Sequence, residues 1–315
     1  IQAILISAIF MVLPETGSAR SGSWSMPFLL MDADARTAGM AGAGSILQDS
    51  PSAIWHNAAS VVGGEVKAGA GLFSGPWNSA FDGNDVMYGV AGYWNIDSRN
   101  ALLGGVRYVS GAETVLTDDW GFPYGTACPY DIAAGIGYAR GFGKHFSVSL
   151  TATYLHSDLG IGDRPLTGVS FDAAAVYRHG IASRKGAQWS VGLRLADIGT
   201  LLSSPDGSLP VRCAVSGGVK LPFSPQHVLN LAADAAFRFS PSAFEAAAGA
   251  EYVFLKHGII RAGYHAGQAL ASGNYAAVGC GFIAGPVRCN ASWRFGGDRQ
   301  GLYGDMFCFS VELLL

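Results

Sequence analysis

From Glu65 to Leu315 the chain is a series of short segments of alternating polarity, each about the length of one bilayer-crossing strand. Fourteen can be marked: Glu65–Ser74, Asp85–Ile96, Ala101–Ser110, Ile132–Phe142, Phe146–Ser157, Val169–His179, Gln188–Ile198, Arg212–Leu221, Val228–Phe239, Ala243–Phe254, Ile259–Gln268, Asn274–Ala284, Val287–Phe295 and Met306–Leu315. Successive side chains of a strand point to opposite faces. Phe146–Ser157 sets Phe146, Val148, Leu150, Ala152 and Tyr154 against Ser147, Ser149, Thr151 and Thr153. Val287–Phe295 sets Val287, Cys289, Trp293 and Phe295 against Arg288, Asn290, Ser292 and Arg294. A tilted strand of about 9–11 residues spans a bilayer, and bacterial barrels close with an even strand number.

Composition narrows the choice further. Charged residues make up 14% of the chain, against roughly 25% in a soluble domain. After residue 13 no apolar run approaches the ~18 residues of a spanning helix. Soluble β-sandwiches also alternate, but fourteen strands in one low-charge series favour an all-β fold: a transmembrane antiparallel β-barrel. Strand charges from Lys67 and Arg107 through Asp234, Glu251, Arg261 and Arg294 share the inward parity. There they avoid the ~2–4 kcal/mol cost of facing lipid at mid-depth. Tyr88, Trp94, Tyr154, Trp189 and Trp293 share the outward parity, as interfacial girdles require.

Connection lengths alternate as well. Gly75–Asn84, Gly111–Asp131, Asp158–Gly168, Gly199–Val211 and Gly296–Asp305 are long, whereas Asp97–Asn100, Gly143–His145 and Leu255–Gly258 are tight. Barrels have short periplasmic turns and longer outer loops, so both termini are expected in the periplasm. The short connections near Ser240–Ser242 and Ala269–Gly273 predict a low rim, with a lateral opening there. Ile1–Leu13 is an apolar run of signal-core length, followed by Pro14 and the small residues Gly17-Ser18-Ala19. Residues 1–19 therefore read as a secretory signal peptide.

Few residues invite chemistry. The five cysteines include no CxxC pair, and no spaced His/Cys set marks a metal site. Gly39–Gly44 is GMAGAG, but it lacks the strand before and helix after that a dinucleotide loop needs. His156, Ser157 and Asp158 are adjacent on a strand, so they point to opposite faces and cannot converge as a triad. No cofactor is implied, and a net charge of −3 gives no sign of nucleic-acid binding. The longest connection carries Asp118, Asp119, Trp120, Phe122 and Tyr124, and the first carries Trp77. Aromatics beside acids suit a protein partner; packing on one another to close the barrel mouth is the alternative.

The stretch Phe28–Val62 fits neither strand nor leader. It contains Pro27-Phe28-Leu29-Leu30, Asp34-Ala35-Arg36, Gly39-Met40, Ala43-Gly44, Asp49 and Trp55-His56-Asn57-Ala58-Ala59. In this order and spacing it resembles the N-terminal signature of the PorV/PorQ family, within the FadL-like outer-membrane barrels. Ala38-Gly39-Met40-Ala41 replaces the family's doubled glycine, and Ala58 stands where the family usually has Pro. The resemblance implies a Gram-negative outer-membrane location among outer-membrane lipids and a non-enzymatic part in type IX secretion. Its implied partners are cargo C-terminal signal domains, the large translocon barrel and the surface attachment machinery.

The resemblance also implies that residues 20–64 enter the barrel (residues 65–315) from the periplasmic side as a plug. Ser50-Pro51-Ser52 can start a short helix, with Ala53, Ile54, Ala58, Ala59 and Val61 as its apolar face. Asp34, Arg36 and Asp49 are expected to pair with lumen charges, and Trp55, His56 and Asn57 belong to the same segment. A FadL-like channel, with a hydrophobic ligand in the lumen, is the competing reading. An outer-membrane enzyme is a third, for which the sequence offers no site.

Overall fold

A computed structural model describes residues 25–77, 85–162, 164–204, 207–240, 242–268, 273–296 and 306–315. The signal-peptide expectation for residues 1–19 lies outside them. The strands are β1 (Ala68–Trp77), β2 (Asp85–Asn95), β3 (Asn100–Ser110), β4 (Thr114–Thr117), β5 (Pro123–Ala127), β6 (Tyr130–Phe142), β7 (Phe146–Asp158) and β8 (Leu166–Gly180). They continue as β9 (Gln188–Leu201), β10 (Arg212–Ser224), β11 (His227–Phe239), β12 (Ser242–Phe254), β13 (Gly258–Gly267), β14 (Tyr275–Ala284), β15 (Val287–Phe295) and β16 (Met306–Leu314). All but β4 and β5 form one closed antiparallel barrel of fourteen strands, in which β3 pairs with β6 and β1 closes on β16. At the seam Gly69 lies opposite Leu314 and Ser74 opposite Phe309. No described helix is long and apolar enough to cross a membrane.

The wall inverts the polarity of a soluble protein. On β7, Ser147, Ser149, Thr151 and Thr153 are buried inside, while Phe146, Leu150 and Tyr154 are exposed outside. Ile136, 73% exposed, and Leu150, 68% exposed, would be costly in water and are at home against lipid.

Four expectations need correction. The wall has no lateral opening among the described residues: β11, β12, β13 and β14 pair continuously from Phe239↔Ser242 to His265↔Tyr275. Lys67 is exposed and precedes β1 rather than facing the lumen. Trp77 is the last residue of β1, opposite Asp85, and not a loop residue. The connection from β3 to β6, expected as one long loop, carries the separate hairpin of β4 and β5.

Residues 25–64 thread the lumen as a chain of short turns: 3-10 turns at Pro27–Leu30, Pro51–Trp55 and Ala58–Val61, and one helical turn, α1 (Ala35–Ala38). Pro51 opens its turn, where a missing N–H costs nothing. The wall is thinned to receive this segment. Gly105 and Gly135 face each other across β3 and β6, and a Cβ at Gly105 would come within 2.9 Å of the Trp55 ring. The lumen has two characters. Toward β1–β7, Phe28, Leu29, Ile54, Trp55 and Val61 pack on Phe73, Met87, Leu103, Ala133 and Leu155. Toward β8–β16 the plug meets charged side chains.

Candidate functional site: the plugged lumen and the β4–β5 hairpin

On the charged side one carboxylate organises the contact. Arg36 grips Glu251 through both forks, Nε to Oε2 at 2.9 Å and an Nη to Oε1 at 2.7 Å. Arg261 donates to Oε2 at 2.7 Å and Asn230 to Oε1 at 2.9 Å. Glu251 is 1% exposed. A buried carboxylate is tolerable only when its lone pairs are filled in this way. Arg36 also donates to the Gln48 carbonyl at 2.9 Å, tying α1 to the loop beyond it. Asp234 of β11 accepts from the backbone N–H of Gly44 (2.7 Å) and Ser45 (3.2 Å) and from the Ser45 hydroxyl (2.7 Å).

Neither the Asp34 nor the Asp49 carboxylate forms an ion pair with a lumen charge among the described residues. Asp34 stays within the plug: its side chain caps α1 by accepting from Thr37 N at 2.9 Å, and it accepts from Ser52 and from His56 Nε2 at 3.0 Å. Burial works against its charge, but these donors outweigh it and hold the Asp34 carboxyl well below the usual range. The Asp49 carbonyl accepts from Arg288 at 2.7 Å, and its carboxylate acts on Arg178 only through space. Arg288 also pairs with Glu312 at 2.9 Å.

Elsewhere in the lumen, strand arginines hold plug carbonyls. Arg194, paired with Asp172, donates to Trp55 O at 2.8 Å. Arg178 donates to Val62 O (3.1 Å) and Ser60 O (3.0 Å). Arg107 lies over the Trp55 ring at 4.2 Å and reaches Met31 O at 3.3 Å. Asn57 accepts from Ala59 N at 3.2 Å and reaches Ala175 O at 3.5 Å. The sequence revealed the inward parity of these arginines but not their acceptors, because a backbone carbonyl leaves no compositional trace.

Ser52, His56 and Asp34 have the residue types of a hydrolytic set but not its wiring. Both Ser52 and His56 bond the same oxygen of Asp34, whereas a triad needs the histidine on the serine hydroxyl. His156 bonds the Tyr130 hydroxyl at 3.1 Å. Among the described residues no group of three or more His, Cys, Asp or Glu is placed to hold a metal ion.

Beyond the plug, toward the long-connection end, lies a cavity of about 140 Å³. Its wall mixes Asp32, Glu245, Arg294 and His265 with Met31, Met87 and Met306. Burial pushes the Asp32 carboxyl up. His265 and Tyr275 stack at 4.7 Å, and Arg294 sits over Tyr275 at 4.6 Å. Asp32 and Tyr275 had no sequence signal as site residues, since only the closed barrel brings them together.

The hairpin β4–β5 carries the loop residues. Trp120 is 84% exposed, and Phe122 and Tyr124 are also exposed. Asp118 shapes the turn: its side chain accepts from Trp120 N (2.9 Å) and Phe122 N (2.8 Å). Asp119 is exposed beside them.

A fourteen-strand barrel filled by its own N-terminal segment has the fold of the FadL-like outer-membrane channels. The chain is similar to the CymD monoaromatic hydrocarbon channel (12% identity, TM-score 0.59, 93% of this chain and 98% of that one). It is likewise similar to the Ralstonia pickettii toluene transporter TbuX (11%, TM-score 0.58, 91% and 100%) and to a Pseudomonas aeruginosa FadL homologue (14%, TM-score 0.57, 89% and 98%). No curated protein sequence matches the chain. Within this fold class the chain belongs to the PorV family: the family described as Type IX secretion system protein PorV matches residues 16–207, spanning the plug and the wall through β9.

Proposed function

We propose that the protein is a non-enzymatic outer-membrane component of type IX secretion, with both termini in the periplasm. In this reading it binds the C-terminal signal domains of exported cargo and associates with the translocon barrel and the attachment machinery. The family match over residues 16–207 carries the reading. The plug supports it, since Phe28, Ile54 and Trp55 cover the apolar half of the lumen that a hydrophobic solute would use. The exposed Trp120, Phe122 and Tyr124 offer a protein-binding surface on the outer hairpin. Purification in mild detergent from the native host tests the reading. Recovery of a giant barrel or a cargo signal domain supports it; recovery of the barrel alone, with every cargo still secreted in its absence, refutes it.

The channel fold favours one second reading, passage of small hydrophobic molecules. The mixed charged lining of the cavity beyond the plug weighs against it. Toluene flux into proteoliposomes above that of empty vesicles would favour it.

A further inference from the structure

Two tight turns on the short-turn rim repeat one arrangement. Lys144-His145 joins β6 to β7, and Lys256-His257 joins β12 to β13. In the first, His145 Nδ1 donates to Arg178 O at 2.9 Å, Arg178 N donates back to His145 O at 2.8 Å, and the imidazole lies 5.9 Å from the Tyr177 ring. In the second, His257 Nδ1 donates to Ile283 O at 2.9 Å, Ile283 N donates back at 2.7 Å, and the imidazole lies 6.0 Å from the Phe282 ring. Each time the aromatic residue directly precedes the carbonyl that fixes the histidine. A carbonyl only accepts, so the proton sits on Nδ1 and Nε2 is left on the far side of the ring. Leu255 and Lys256 both take positive φ (53° and 64°), a conformation that non-glycine residues adopt at a cost.

The surroundings are one-signed. The turns joining strands at this rim carry Arg99, Lys144, Arg184, Lys185 and Lys256 against one acid, Asp97. Asp97 is committed to its own turn, accepting from Arg99 N (2.7 Å), Asn100 N (2.8 Å) and Asn100 Nδ2 (2.7 Å). None of the five cations has an ion-pair partner among the described residues. The long connections lean acidic instead, with Asp82, Glu113, Asp118, Asp119, Asp163, Asp206, Asp298 and Asp305 against Arg164 and Arg299. Basic residues beside an outward aromatic, at the end of a bilayer-spanning wall, complement an anionic headgroup layer.

We propose that the two Lys-His turns are headgroup sites for anionic phospholipid. The lysine meets the phosphate, the pinned imidazole presents Nε2 as an acceptor for a headgroup hydroxyl, and Tyr177 or Phe282 lies against the glycerol and upper chain. The site does not depend on whether the barrel serves secretion or transport.

Native mass spectrometry of the whole protein in detergent, titrated with phosphatidylglycerol and with phosphatidylcholine, tests this. The wild type should retain phosphatidylglycerol preferentially. The Lys144→Ala, Lys256→Ala double variant should lose that preference by about fivefold at each site, and Arg164→Ala at the opposite end should keep it. His145→Phe with His257→Phe preserves the ring and should give a smaller loss. Unchanged heat-induced mobility on gels shows that each variant is folded. Equal retention of the two lipids, whether or not an acidic protein co-purifies, overturns the proposal. So does an equal loss in Arg164→Ala, or displacement of the lipid by millimolar inorganic phosphate.

Discussion

Gly249 and Gly263 face each other across β12 and β13, and Met40 of the plug occupies the space their side chains would fill. A Cβ on Gly263 would lie 2.3 Å from the Met40 carbonyl carbon and oxygen; one on Gly249 would lie 2.7 Å from its Cβ. The groups in the way are main-chain atoms of the plug and the Met40 Cβ fixed to them, which cannot swing aside as a side-chain tip can. Gly263→Ala should therefore displace the plug rather than the wall, at about 1–3 kcal/mol of overpacking. Faster proteolysis within residues 35–50, with the barrel's heat-induced gel shift preserved, is the expected result.

The Glu251 cluster predicts an order of effects. Arg36→Leu removes one partner but leaves Glu251 with Arg261 and Asn230. Glu251→Leu strips two buried guanidiniums of their shared carboxylate and should cost about 3–5 kcal/mol. Thermal unfolding in detergent should rank wild type, then Arg36→Leu, then Glu251→Leu. The reverse order of the two variants would contradict the assignment of Glu251 as the hub.

Asp34 predicts how the plug responds to acid. Its folded pKa lies below the unfolded value of about 3.9. Its contribution is thus complete above that unfolded value and declines only as pH falls through the lower folded one. Hydrogen exchange of residues 34–56 should be as slow at pH 5 as at pH 7, once corrected for intrinsic rates. Asp34→Asn should lose the ionic part of its bonds to His56 and Ser52 and weaken the plug by about 1–3 kcal/mol at neutral pH.

The β4–β5 hairpin should separate binding from stability. Trp120, Phe122 and Tyr124 are exposed, so replacing all three with alanine should change thermal stability by no more than about 0.5 kcal/mol. Partner recovery should fall sharply. Asp118→Ala, which removes the acceptor for two backbone N–H groups, should loosen the hairpin and give a partial loss. Unchanged partner recovery in the triple variant would exclude this surface.

The wall was legible because each strand carries its own instructions. The hydroxyl row of β7 faces in and its aromatic and aliphatic row faces out, with no information needed from elsewhere. Lys67 and Trp77 were misplaced because alternation fades at strand ends, where water and lipid meet. β4 was missed because four residues cannot display a period. The plug was recognisable as a segment, but its partners were not. Arg36 and Glu251 stand 215 positions apart, and neither residue encodes that distance. Asp34 misled for a local reason: a carboxylate opening a helical turn finds its own backbone first.

That separation sets an order of events. Arg36 precedes every strand of the barrel, yet its partner lies on β12. The plug cannot seat until most of the wall is threaded, and β1, which continues it directly, must also wait for β16 to close the ring. Residues that precede every strand are thus among the last to settle. Until then they are a glycine-rich tether, and wall closure and plug seating fall in the same final step of assembly.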